Sequence, residues 1–150
     1  MGAFISYLYL TGRSRHFFIL APNLTIYEKL KQDFSLQSPK YVFSGISEFI
    51  ANRPVIITGD DYESGKGIRT DDQHFQGQKR LFESKDTAFI NIFNISKINT
   101  TDNKKGALKS SIPAIKRLQE TIGESYFDYL VNLPDLVLLI DEAHRYRACC

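Results

Sequence analysis

Four consecutive residues, Asp141-Glu142-Ala143-His144, carry the clearest chemistry in the chain. Two adjacent carboxylates can divide one task. The first can hold Mg²⁺, directly or through water. The second can orient or deprotonate the water that attacks a phosphoanhydride. Their position matters as much as their type. They follow Leu136-Val-Leu-Leu-Ile140 without a break. That run is short and fully apolar, the pattern of a buried strand. In open α/β sheets, ligands gather at the carboxyl ends of strands. A bare Asp-Glu pair at a strand end would be an ordinary polar end. The apolar strand before it and the Ala-His after it set this pair apart.

The elements that must position those acids can be read outward from them. Phe4, Ile5 and Leu8 have helical spacing, and Gly12 stands where a helix stops, so a helix is expected over about 2–11. His16-Phe-Phe-Ile-Leu-Ala21 reads as a buried strand, ended by Pro22-Asn23. Thr25 and Glu28 have capping-box spacing, and Tyr27, Leu30 and Phe34 share one helical face, which predicts a helix over 24–34. Ile46, Phe49 and Ile50 suggest a short helix ended by Pro54, and Val55-Ile-Ile-Thr58 a strand closed by Gly59. A polar, charged insertion spans about 60–86. Residues 87–95 read as a strand that is apolar except for two asparagines, and 96–111 as a lysine-bearing linker. Pro113 is placed to open a helix, with Ser111 as its cap, Ile115, Leu118 and Ile122 as its apolar stripe and Gly123 as its end. Tyr126, Tyr129 and Leu130 suggest one more short helix before Pro134. Helix alternating with strand is the rhythm of an α/β fold with a mostly parallel sheet and flanking helices.

Composition sets the outer limits. The chain has 150 residues, 43% hydrophobic and 24% charged, enough for one domain with a real core. Its net charge of +2 permits nucleic acid as a partner without demanding it. The two cysteines, Cys149 and Cys150, are neighbours at the last positions and cannot staple the domain. No apolar run approaches the roughly 20 residues of a spanning helix. Met1–Leu10 is apolar, but it lacks a basic lead and a small-residue cleavage site. A cytoplasmic protein without a membrane segment is expected.

Residues 138–146, Leu-Leu-Ile-Asp-Glu-Ala-His-Arg-Tyr, resemble the Walker B or DEAH box of superfamily 2 helicases and translocases. Phe18-Ile-Leu-Ala-Pro-Asn-Leu-Thr-Ile26 resembles motif Ia of the same proteins. Read on through Phe34, and with Ile90-Asn-Ile-Phe-Asn-Ile-Ser-Lys-Ile-Asn99, this wording is similar to the restriction (Res) subunit of type III restriction–modification enzymes. The resemblance covers most of the chain and is weaker through 35–86. It implies a partial RecA-like (P-loop NTPase) lobe, the helicase ATP-binding domain, over residues 1–150. It implies ATP and Mg²⁺ as cofactors, and DNA and the modification (Mod) subunit as partners. Asp141 would help hold the Mg²⁺, and Glu142 would be the catalytic base or water-positioning residue. His144 would sit at the ATP site and couple it to DNA-contacting motifs. Pro22 and Asn23 would lie near the DNA backbone, a salt-sensitive and sequence-independent contact.

One part of that machinery is missing. A motor ATPase needs G-x-x-x-x-G-K-[ST], whose N–H groups and lysine cradle phosphates. The run Gly59-Asp-Asp-Tyr-Glu-Ser-Gly65-Lys66-Gly67 has five residues between its first two glycines, Gly67 where Ser or Thr belongs, and three acids. It reads as a loop. The resemblance therefore implies a lobe cut from a longer protein, with its P-loop upstream of Met1. The isolated chain is expected to be inactive as an ATPase and only marginally stable. Two other readings stand beside it. One is a piece of a DEAH-type DNA or RNA helicase outside restriction systems. The other is a non-catalytic remnant or interaction module. Elsewhere the plainer readings hold: His16 is a packed or surface histidine, His74 is solvated, and Lys104, Lys105 and Lys109 lie in a solvated linker. Tyr126, Phe127 and Tyr129 are core and interface rather than a base-stacking platform.

Overall fold

The apolar hexapeptide at 16–21 forms a strand at those residues and occupies the interior of a sheet. The structure, a computed structural model, describes residues 1–64, 87–99, 113–119 and 123–142. Within them, β1 (His16–Ala21) lies between β3 (Phe89–Asn94) and β4 (Leu136–Ile140), and β2 (Val55–Thr58) pairs with the far side of β3. All pairings are parallel. His16 stands opposite Phe89 and Leu136, and Leu20 opposite Phe93 and Ile140. The protein is α/β, a parallel sheet with flanking helices.

Alternation along the strands sends side chains to two faces. Phe17, Ile19, Ile90 and Ile92 meet Ile5, Tyr27 and Phe49 of α1 (Gly2–Leu10), α2 (Leu24–Asp33) and α3 (Ser47–Ala51). Phe18, Ile57 and Phe93 meet Ile115, Tyr126 and Leu130 on the other face. Tyr126 and Leu130 belong to α5 (Tyr126–Val131). Each buried Phe or Ile contributes about 1.5–3 kcal/mol. Helices this short are marginal alone, so packing on the sheet is what holds them.

Local signals explain where the helices start and stop. Gly12, at φ 67°, ends α1 in a left-handed turn that suits glycine. Asn23 opens α2: its Oδ1 accepts the Ile26 N–H at 2.9 Å. The cap is thus Asn23 rather than Thr25, because the chain has already turned helical at Leu24. A short helix, α4 (Ile95–Asn99), follows β3 directly where a linker was expected, and Asn94 Oδ1 accepts the Ser96 N–H at 2.7 Å at its start.

The helix expected from Pro113 does not form in the described residues. A single 3₁₀ turn spans Ala114–Lys116, and Arg117 is already extended. Leu118 pairs with Ser125 in an antiparallel bridge and is 73% exposed. Ile115 is buried beside Tyr126, whereas Leu118 is not, and Ile122 lies outside the described residues. Tertiary contact with α5 outweighs the helical spacing.

Candidate active site at the carboxyl edge of the sheet

Four strands run parallel, so their carboxyl ends share one edge. Asp141 is the first residue beyond β4. Its N–H donates to the Leu20 carbonyl at 3.3 Å, which extends the β4 pairing by one step along β1. The acid is thereby fixed beside the turn Ala21-Pro22-Asn23 that leads into α2. Glu142 follows with φ 49°, a left-handed conformation unusual for a side chain of this size. One of its carboxylate oxygens is buried. Pro22 is half-buried and Asn23 exposed. His144 lies outside the described residues.

β4 itself differs from the expectation of a buried strand. It is an edge strand among the described residues. Val137 and Leu139 pack on the first core, but Leu138 is 55% and Ile140 40% exposed. The strand is held by its pairing with β1, by Val137 and Leu139 on the first core and by Leu136 on the second.

The other strand ends are committed to structure. Asn94, buried at the end of β3 opposite Ala21, caps α4 through its side chain. At the end of β2, Asp61 folds back, and its Oδ1 accepts both the Thr58 N–H at 2.5 Å and the Thr58 hydroxyl at 2.7 Å. A carboxylate thus fills the place where a phosphate-binding turn would offer bare N–H groups. Asp60 accepts the Tyr27 hydroxyl at 2.8 Å and lies 3.2 Å from Lys31 Nζ. Burial, and then that bond to Asp60, push the Tyr27 phenol up to about 12. Strand order separates this end from Asp141 by three strand spacings, about 14 Å. The Gly59–Ser64 turn and the Asp141-Glu142 pair therefore do not converge. Lys66 lies outside the described residues.

Two polar pairs escaped the sequence reading. The first is His16 with Asp135, at the opposite, amino edge. The second is buried on the second face: Tyr126 donates its hydroxyl to Asn91 Oδ1 at 2.5 Å, and Asn91 Nδ2 donates to the Phe17 carbonyl at 3.2 Å. Burial holds the Tyr126 hydroxyl protonated well above the ordinary tyrosine range. An asparagine inside an apolar strand was the available signal, since a buried amide needs partners.

The family model for the res subunit of type III restriction enzymes matches residues 1–149. The chain belongs to that family, a helicase-type family of P-loop NTPase fold. Neither a curated protein nor a solved structure matches it.

Proposed function

We propose that the chain is part of the ATP-driven DNA translocase motor of a type III restriction endonuclease, with hydrolysis coupled to movement along DNA and to cleavage by the parent protein. The observation that carries this reading is the delivery of Asp141 and Glu142 to the carboxyl edge, against the turn at Ala21-Pro22-Asn23. Family membership supports it. The domain is the helicase ATP-binding lobe, with the 60–86 stretch as an insertion.

The donor set suits Mg²⁺. This ion commonly takes one or two carboxylates and completes its shell with water and phosphate oxygens. Asp141 is the carboxylate for it. When bound with ATP, Mg²⁺ would neutralise charge developing on the phosphates. Glu142 would accept hydrogen bonds from the attacking water and hold it in line. His144 would relay the state of this site toward DNA. Asn23 has its side-chain oxygen engaged by α2, which leaves its amide nitrogen as the donor for a DNA phosphate. Pro22, with no N–H, would set the direction of that turn. The modification subunit would supply site recognition.

The deciding experiment is DNA-stimulated ATP hydrolysis by the restriction subunit that contains this chain, assayed with its modification subunit. Glu142→Gln is expected to abolish turnover while ATP binding persists. Turnover that survives this change would remove Glu142 from the reaction. The isolated chain is expected to show no Mg²⁺-dependent turnover above background.

A further inference from the structure

β2 has an unoccupied long side among the described residues. In a parallel pair, alternate residues of a strand bond to a given neighbour. Val55 N–H donates to the Ala88 carbonyl at 2.8 Å, and Gly59 N–H to the Ile92 carbonyl at 3.2 Å. Odd-numbered residues therefore serve β3, and the backbone groups of Ile56 and Thr58 face outward. Thr58 N–H is taken by Asp61. Among the described residues no group takes the Ile56 N–H.

Ile56 opens onto a groove of about 560 Å³. Phe34, Leu36, Pro54 and Val55 give it an apolar lining, and Arg53 adds a positive charge, while that of Lys31 is offset by neighbouring carboxylates. Lys31 is shared with Asp60 at 3.2 Å and Glu28 at 3.4 Å. Arg53 is exposed and forms no ion pair among the described residues. We propose that this groove binds an extended, acidic peptide segment of a partner protein by strand addition to β2. The open strand edge and the apolar lining favour an extended peptide, and Arg53 favours an acidic one. An extended chain can use both the N–H and the C=O of Ile56. Its alternate side chains can reach the apolar lining, and an acidic one can meet Arg53. A nucleic-acid backbone could use the N–H and the arginine, but its phosphates have no donor for the Ile56 carbonyl and do not match the apolar lining. The inference stands apart from the hydrolytic role of Asp141 and Glu142.

The test is fluorescence anisotropy with the full chain and three labelled probes: a heptapeptide alternating valine with glutamate, its valine–lysine counterpart, and an oligothymidine. The valine–glutamate peptide is expected to bind saturably, and the lysine version about tenfold more weakly. Arg53→Glu should reverse that preference. An N-methyl group on the central peptide nitrogen, which leaves the protein untouched, should weaken binding by a similar factor if strand pairing holds the peptide. Equal binding of the two peptides, or none, overturns the proposal. So does oligothymidine binding that competes with the peptide and is lost in Arg53→Glu, which would make the groove a phosphate contact.

Discussion

His16 Nδ1 lies 2.6 Å from Asp135 Oδ1, and this pair ties the first residue of β1 to the residue before β4. Asp135 also accepts the Arg15 N–H through Oδ2 at 2.8 Å, and its carbonyl accepts the Ser14 hydroxyl at 2.6 Å. His16 is buried and stacks on Phe89, with ring centroids 5.3 Å apart. This clamp sets the β1–β4 register at the amino edge. The same register puts Asp141 on the Leu20 carbonyl at the carboxyl edge, one strand length away.

The clamp makes stability depend on pH. Burial works against the Asp135 carboxylate, but the bonds from Arg15 N–H and His16 hold its pKa below the ordinary aspartate value. A depressed carboxylate stabilises the fold above the unfolded-state value, near 3.9. That stability is lost as pH falls through the lower folded value. Asp135→Asn should cost about 1–3 kcal/mol at neutral pH. Urea melts of wild type and variant over a pH series should converge in acid. A constant gap across that range would assign the loss to packing.

The buried amide–phenol pair permits a cycle. Tyr126→Phe removes the donor to Asn91 Oδ1 and leaves a buried acceptor unmatched, at a cost of about 1–3 kcal/mol. Asn91→Leu alone should also destabilise, because the Tyr126 hydroxyl and the Phe17 carbonyl both lose a partner. The double variant should be less destabilised than the sum of the two. Strict additivity in denaturant melts would show that the pair is not coupled.

Glu142 should show a trade between stability and chemistry. Its φ of 49° costs about 1 kcal/mol that glycine would not incur. Glu142→Gly should therefore leave thermal stability unchanged or raised, although it removes the proposed water-positioning group from the parent motor. Glu142→Gln keeps the strained backbone and should leave stability near wild type while hydrolysis is lost. A large drop in melting temperature for the glycine variant would mean that the buried carboxylate holds the fold rather than the reaction.

Short apolar runs made all four strands legible, three of them close to a proline or glycine, because a buried parallel strand has little other composition to choose from. Leu136–Ile140 shows the limit of that signal. Its composition is that of a strand covered on both faces, yet Leu138 and Ile140 are exposed in an edge strand. Neighbour order is a tertiary property, and nothing local says that β1 would lie between β3 and β4. The 113–123 stretch misled for a related reason: apolar spacing at Ile115 and Leu118 mimics a helix, while only Ile115 finds the core. At the candidate site, Asp141 and Glu142 were visible as residue types. Asp135, which anchors the same strand from its other end, gave no motif to read.

Asn23 combines two roles that one substitution can separate. Its Oδ1 caps α2 through Ile26 N–H, and in the proposed motor its amide nitrogen would contact a DNA phosphate. Asn23→Ala removes both, with about 1 kcal/mol lost from the cap. Asn23→Asp keeps an accepting oxygen and puts negative charge at the helix N-terminus, where it is favourable. It also turns a donor into an acceptor that repels phosphate. Stability should therefore hold in Asn23→Asp while DNA affinity of the parent motor falls, and the salt dependence of binding should flatten by about one ion. Anisotropy titrations with DNA at several salt concentrations, set beside thermal melts, would read the two effects apart. Unchanged DNA affinity in a stable Asn23→Asp protein would leave Asn23 as a helix cap alone.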